Sequence, residues 1–213
     1  MKNGKLKKFL IKARAPFLRL GLKNRDYTII SNNCWGGVKS RNFGLPYNSP
    51  TCGLFFFSKE YLKFCSDLKL YISAELKPLS VADSQYKEEL FLKFPEKKEI
   101  VLGKVLDVEV VFLHYQTFDE AKEKWNRRKA RINWDNLIVK YNDQNLFSEE
   151  DFYEFEKLPY KNKIFFTANE KFINKPNTYY FSCFKEKGYV VDDIKTSEKY
   201  FKLKKYLNNL IKT

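Results

Sequence analysis

The sequence has one histidine, His114, and four cysteines, at positions 34, 52, 65 and 183, which lie far apart and form no CxxC pair. This pattern lacks zinc-ligand spacing, so no metal site is expected, and it argues against a disulfide scaffold. The thiols are expected to be reduced, as in a cytosolic compartment. Apolar runs are short, and none approaches the roughly 18–20 residues a membrane-spanning helix needs. The basic amino terminus leads into no uninterrupted apolar segment of the secretory kind. The protein is therefore expected to be cytoplasmic, or peripheral at the inner face of a membrane. Glycine and proline are scarce, eight and seven residues among 213. There is no internal repeat, low-complexity tract or Gly/Ser linker. A chain of this length with 44% apolar residues is expected to bury one substantial core.

What is present in excess is positive charge, +14 at neutral pH. Much of it sits in mixed stretches such as Glu96-Lys97-Lys98-Glu99, which read as solvated surface. The aromatic residues are patterned like core, so no nucleic-acid partner is expected. Residues 1–25 are different. Lys2, Lys5, Lys7, Lys8, Lys12, Arg14, Arg19, Lys23 and Arg25 precede the first acid, Asp26. Leu6, Phe9, Leu10 and Ala13 recur at helical spacing, which predicts a short basic amphipathic helix ended by Pro16. Such a segment either lies on an anionic membrane or packs on the domain. Residues 26–213 read as a single domain.

Along that domain strand-like runs alternate with amphipathic helices. The strands are Tyr27–Ile30, Val105–Leu113, Leu137–Tyr141, Lys163–Thr167 and Tyr179–Phe184. Leu54–Phe57 reads as a strand or a buried approach to a helix, and Leu90–Phe94 as either strand or helix. Helices are expected from Ser58 to Ile72, from a Thr117/Glu120 capping box to Arg131, from Ser148 to before Pro159, and from Ser197 to Ile211. This alternation predicts an α/β fold: a three-layer α/β/α, Rossmann-like arrangement with a mainly parallel central sheet.

Parallel sheets bind ligands beyond the carboxyl ends of their strands, so the residues after each run are the place to look. The first run ends in Ser31-Asn32-Asn33-Cys34-Trp35-Gly36-Gly37, the second in His114-Tyr115, the third in Asn142-Asp143, and the fourth in Thr167 and Asn169. His114 suits a general base, since only imidazole exchanges protons near neutrality at its ordinary pKa. Cys34 is the companion nucleophile, with Asn32, Asn33 and the Gly36-Gly37 amides as oxyanion donors. A structural His114 and a Cys34 packed under Trp35 are the alternatives. Arg128 falls on the apolar face of its helix with Phe118, Ala121, Trp125 and Ile132. There it either snorkels to water or holds a carboxylate or phosphate.

The segments IISNNCWGG (29–37), LPYNSPTCGLFF (45–56), VFLHYQTFDEAKEKWNRRKARINWDNLIVKY (111–141) and NKIFFTA (162–168) resemble a bacterial family, domain of unknown function nineteen-nineteen. Its members often carry exopolysaccharide or capsule-biosynthesis labels. The resemblance spans roughly residues 17–185. It implies surface-polysaccharide assembly on the cytoplasmic side but names no reaction. It also implies a small apolar residue at Cys52, which is therefore not expected to be catalytic, and a divergent stretch at 78–99.

Three readings follow. The first is a transferase that acylates a saccharide or lipid-linked saccharide from an acyl-CoA donor, with Cys34 as nucleophile and His114 as base. The second is a glycosyltransferase using a nucleotide sugar, with Asp143, His114 or Asp135 as base. No DxD-type metal motif supports it, and Asp192-Asp193 reads as surface. The third is a non-catalytic binding component in which Trp35 and Tyr115 stack on sugar.

Overall fold

The strand-forming runs divide between two sheets in place of the single central sheet expected. The computed structural model describes residues 2–96 and 99–210, the side chains of 2–5, 7 and 8 excepted. The first half of the chain forms α1 (Lys2–Arg19), β1 (Thr28–Ser31), α2 (Trp35–Asn42), β2 (Leu54–Phe55), α3 (Ser58–Ser66), α4 (Leu68–Ser73), β3 (Leu76–Leu79) and α5 (Lys87–Lys93). The second half forms β4 (Val101–Val105), β5 (Val108–Phe112), α6 (Phe118–Lys129), β6 (Leu137–Asn142), α7 (Glu149–Lys157), β7 (Lys163–Thr167), β8 (Thr178–Tyr180), α8 (Asp193–Tyr200) and α9 (Leu203–Asn208).

One sheet is parallel, in the order β1-β6-β7-β8. The other is antiparallel, in the order β2-β5-β4-β3. The parallel sheet is covered on both faces, which explains its largely apolar inner strands. Ile30, Val139, Tyr141 and Phe165 point into a core shared with α3, α6, α7 and the second sheet. Their neighbours Ile29, Ile138, Ile164 and Phe166 point the other way, onto Trp35 of α2 and onto Phe201, Leu203 and Leu207 near the carboxyl terminus. A smaller cluster of Phe55, Phe57, Leu90, Leu102 and Val111 puts α5 on the antiparallel sheet.

The division has a local cause. Val105–Leu113 reads as one continuous strand, but it contains a reversal: Val105 and Val108 face each other across a two-residue turn. Leu106 takes a left-handed φ of 54° there. Asp107 fastens the turn to the helices, pairing with Lys63 at 2.6 Å and accepting a hydrogen bond from the Tyr71 hydroxyl at 2.9 Å. The strand before His114 is thereby committed to the antiparallel sheet.

Other boundaries also move. The helix expected over Ser58–Ile72 breaks at Asp67, whose carboxylate accepts from the Leu70 amide and starts α4. Leu90 lies in a helix, and the run after Tyr179 leaves the strand at Tyr180 for a 3-10 turn over Ser182–Lys187. The terminal helix is two helices, and Ile211 lies outside the described residues. Pro16 does not end α1. It sits in the last turn, and three more residues follow it in the helix.

Candidate functional site

The segment leaving β1 is held at the junction of the two sheets. The Asn32 amide donates to the Lys140 carbonyl of β6 at 3.3 Å, and the Asn32 carbonyl accepts from the Phe56 amide, just past β2, at 3.0 Å. From this point consecutive side chains part into two environments.

One is a buried polar cluster beneath the end of the parallel sheet. Lys140 is fully buried in β6, and its ammonium pairs with Asp193 of α8. It also donates to the Asn32 and Asn33 side-chain carbonyls, both at 3.3 Å. Asn33 Nδ2 donates to the two Asp193 oxygens at 3.1 and 3.0 Å, and Asn142 Nδ2 donates to Asp193 at 2.9 Å. Asn32 Nδ2 donates to Asn142 Oδ1 at 2.7 Å. Gln144 Nε2 carries the cluster to the Val190 and Val191 carbonyls. Burial lowers the Lys140 pKa, opposed by Asp193.

The other environment is a pocket of about 280 Å³ lined by Cys34, Gly37, Arg41, Tyr47, His114, Tyr115, Lys124 and Arg128, among others. Cys34 is the residue before α2, and its Sγ donates to the Leu54 carbonyl at 3.6 Å. Burial pushes this thiol up to about 11, with the Gly53 backbone, Arg41 and Lys140 pulling the other way. At neutral pH it is a protonated thiol. His114 and Tyr115 follow β5, where the Leu113 amide donates to the Gly53 carbonyl at 3.0 Å. Gly53 has a φ of +86°, and a Cβ there would lie 2.9 Å from the Tyr115 hydroxyl oxygen. Glycine thus lets the chain fold over the tyrosine.

Arg128 faces inward from α6 and is 8% exposed. Its guanidinium donates to the Cys52 carbonyl at 2.8 Å and to the Tyr115 hydroxyl, and lies over the Tyr47 ring at 5.0 Å. Four cations are buried among the described residues: Lys39, Arg128, Lys140 and Lys163. Lys39 pairs with Glu198 at 2.7 Å, Lys140 with Asp193, and Lys163 with Glu156 at 3.9 Å. Among the described residues no carboxylate pairs with Arg128. Glu120 lines the same pocket, but its carboxylate accepts from the Gln116 amide at 3.2 Å at the start of α6.

The strand-end residues therefore do not share one crevice. Cys34, His114, Tyr115 and Arg128 come together, across two sheets. Asn32 and Asn33 face the polar cluster, so their side-chain amides are engaged there and not directed at the pocket. Trp35 is fully buried, donates from Nε1 to the Ser197 hydroxyl at 2.9 Å and packs edge-on to Phe166, so it offers no stacking face to a sugar. Gly36 is required by packing: a Cβ there would lie 2.8 Å from Ile29 Cγ2. Asp143 opens on a different cleft, of about 690 Å³, with Asn145, Phe147 and Asn169. Burial raises its carboxyl to about 6, against donors from Val190, Thr167 and Ala168. Those three bonds, at 2.7–2.8 Å, hold the exit of β7 and the chain at Val190.

Sequence reasoning missed Arg41, Tyr47 and Lys124 at the pocket, which have no distinguishing pattern. It also placed Asp193 at the surface, whereas Asp193 is 2% exposed. A signal for that pair did exist. A lysine inside the apolar run LIVKY needs an internal acid, because a buried charge is costly without one.

A family model described as "Domain of unknown function (DUF1919)" matches residues 5–213. An "Uncharacterized protein" of Haemophilus influenzae is 30% identical over 175 residues, covering 82% of this chain and 77% of that protein. Neither description states an activity.

Proposed function

This chain belongs to the DUF1919 family, and we propose that the pocket at Cys34, His114 and Arg128 is the donor site of a transferase that moves an acyl group onto a sugar hydroxyl. The observation that carries the reading is the buried guanidinium of Arg128, which has only neutral partners and opens on a pocket holding a thiol and the imidazole. A buried cation of this kind is completed by an anion, and a planar guanidinium suits phosphate. An acyl-CoA donor brings phosphates together with a reactive thioester.

In this reading His114 takes the Cys34 proton as Sγ attacks the thioester carbonyl. The bond to the coenzyme sulfur breaks, and that sulfur leaves with the proton from His114. His114 then takes the proton of the acceptor hydroxyl while its oxygen attacks the acyl-Cys34 carbonyl, and Cys34 leaves and is reprotonated. A thiol raised to about 11 has almost no thiolate at rest, so the base must act during attack. The acceptor is a saccharide or lipid-linked saccharide of a surface polysaccharide, assembled on the cytoplasmic side. That part rests on the family resemblance.

Glycosyl transfer from a nucleotide sugar is the second reading. It is favoured by the Glu120 carboxylate at the same pocket, which with His114 supplies a base, while Arg128 would take the diphosphate. The two readings separate on labelled acetyl-CoA against labelled nucleotide sugar, each offered with a polysaccharide precursor. Acetyl label is expected to transfer, and Cys34→Ser or His114→Ala should each lower the rate by about three orders of magnitude or more, since nucleophile and base act as a unit. Sugar transfer that survives Cys34→Ser would reject acyl transfer.

A further inference from the structure

An amphipathic helix on a protein surface normally turns its apolar stripe inward. In α1 it points outward. Leu6, Phe9, Leu10, Ala13 and Phe17 follow the i, i+3, i+4, i+7, i+11 pattern of a single stripe. Leu6, Phe9, Leu10 and Phe17 are 58, 67, 49 and 79% exposed. On the opposite side Ala15 is buried, against Gly44, which follows α2. Leu22, just beyond the helix, anchors in the core. The helix is thus held by its back edge with its apolar face free. Of the fifteen large hydrophobic residues exposed among the described residues, six lie between Leu6 and Leu20. That density marks an interaction surface.

The charge identifies the partner. No acid occurs before Asp26, and exposed Lys12 and Arg14 flank the stripe on either side. A second copy of the chain would bring like charges together over the same stripe. A nucleic acid would match the charge but has no apolar phase for Phe9 and Phe17. An anionic bilayer supplies both, with headgroups for the bases and an acyl boundary for the rings. We infer that α1 docks the protein on an anionic lipid surface, lying in the interface with Phe9 and Phe17 inserted.

The test is co-sedimentation of the full chain with phosphatidylcholine vesicles and with vesicles also containing phosphatidylglycerol. Binding is expected only to the anionic vesicles. It should fall by about tenfold or more in the Phe9→Gln/Phe17→Gln double variant. It should also fall on raising salt to about 0.5 M, which screens the headgroup charge. The double variant should keep the thermal midpoint of the parent, because both rings are exposed. Equal binding to neutral vesicles, no binding to either kind, or undiminished binding of the double variant overturns the inference. So does a lower thermal midpoint, which would mean that the stripe packs on the domain. A concentration-dependent dimer that the double variant abolishes would assign the stripe to a second copy instead.

Discussion

Lys140 and Arg128 are both cations taken out of water, and they are satisfied in opposite ways. Lys140 meets Asp193 and two side-chain carbonyls inside a buried polar cluster. Arg128 meets a backbone carbonyl and a phenol at the wall of a pocket. A cation whose acid is built in is part of the structure, whereas in the proposed reading one with only neutral partners leaves its charge for a ligand. The comparison divides the SNNCWGG segment itself: Asn32 and Asn33 serve the first environment, Cys34 and Gly37 the second, and Trp35 and Gly36 pack on the apolar core around Ile29 and Phe166.

The largest effect is expected where the built-in acid is removed. Asp193→Ala leaves Lys140 buried without its counter-charge and should cost about 3–5 kcal/mol in urea unfolding. Replacing both partners, in Lys140→Met/Asp193→Leu, should recover most of that loss. A single variant within about 1 kcal/mol of wild type would mean that the pair is not the anchor described.

The next effect belongs to the pocket side and depends on pH. Burial raises the Cys34 thiol from its ordinary 9.0 to about 11, so folding favours the protonated form. Its contribution is fully present below pH 9 and is lost as pH rises through 11. The whole effect is about 3 kcal/mol. Unfolding free energies measured across this range should fall more steeply in wild type than in Cys34→Ser. Parallel curves would place Cys34 in a wetter setting than the pocket described.

The smallest effect distinguishes the two adjacent glycines. Gly36→Ala drives a methyl into Ile29 in the apolar core and should cost about 1–3 kcal/mol. Gly37→Ala meets the Cys52 sulfur at 3.0 Å at the pocket wall, and its loss should appear mainly in ligand binding. Thermal melts of the two variants check the order, and a greater loss in Gly37→Ala would reverse the assignment.

Part of this was legible in the sequence. The runs that form β1, β6 and β7 announce themselves because a parallel sheet covered on both faces is apolar along most of its length. The inward turn of Arg128 followed from its place on the Trp125 face of α6, although snorkelling remained open there. What could not be read was the sheet partner of β5, because the turn at Leu106-Asp107 sits inside a run with no glycine or proline to mark it. The direction each strand-end residue faces was equally hidden. Asn33 and Cys34 are neighbours in the chain, and only the approach of α8 on one side and of β2 on the other separates their surroundings.

The claim that the pocket is built for an anion is tested most directly by thermal stabilisation with inorganic pyrophosphate, against sodium chloride at matched ionic strength. Ligand binding to the folded state raises its midpoint by mass action. Wild type should be stabilised by pyrophosphate and not by chloride, while Arg128→Met, folded and of similar side-chain length, should not respond. An equal rise in wild type and Arg128→Met, or none in wild type, would contradict the account.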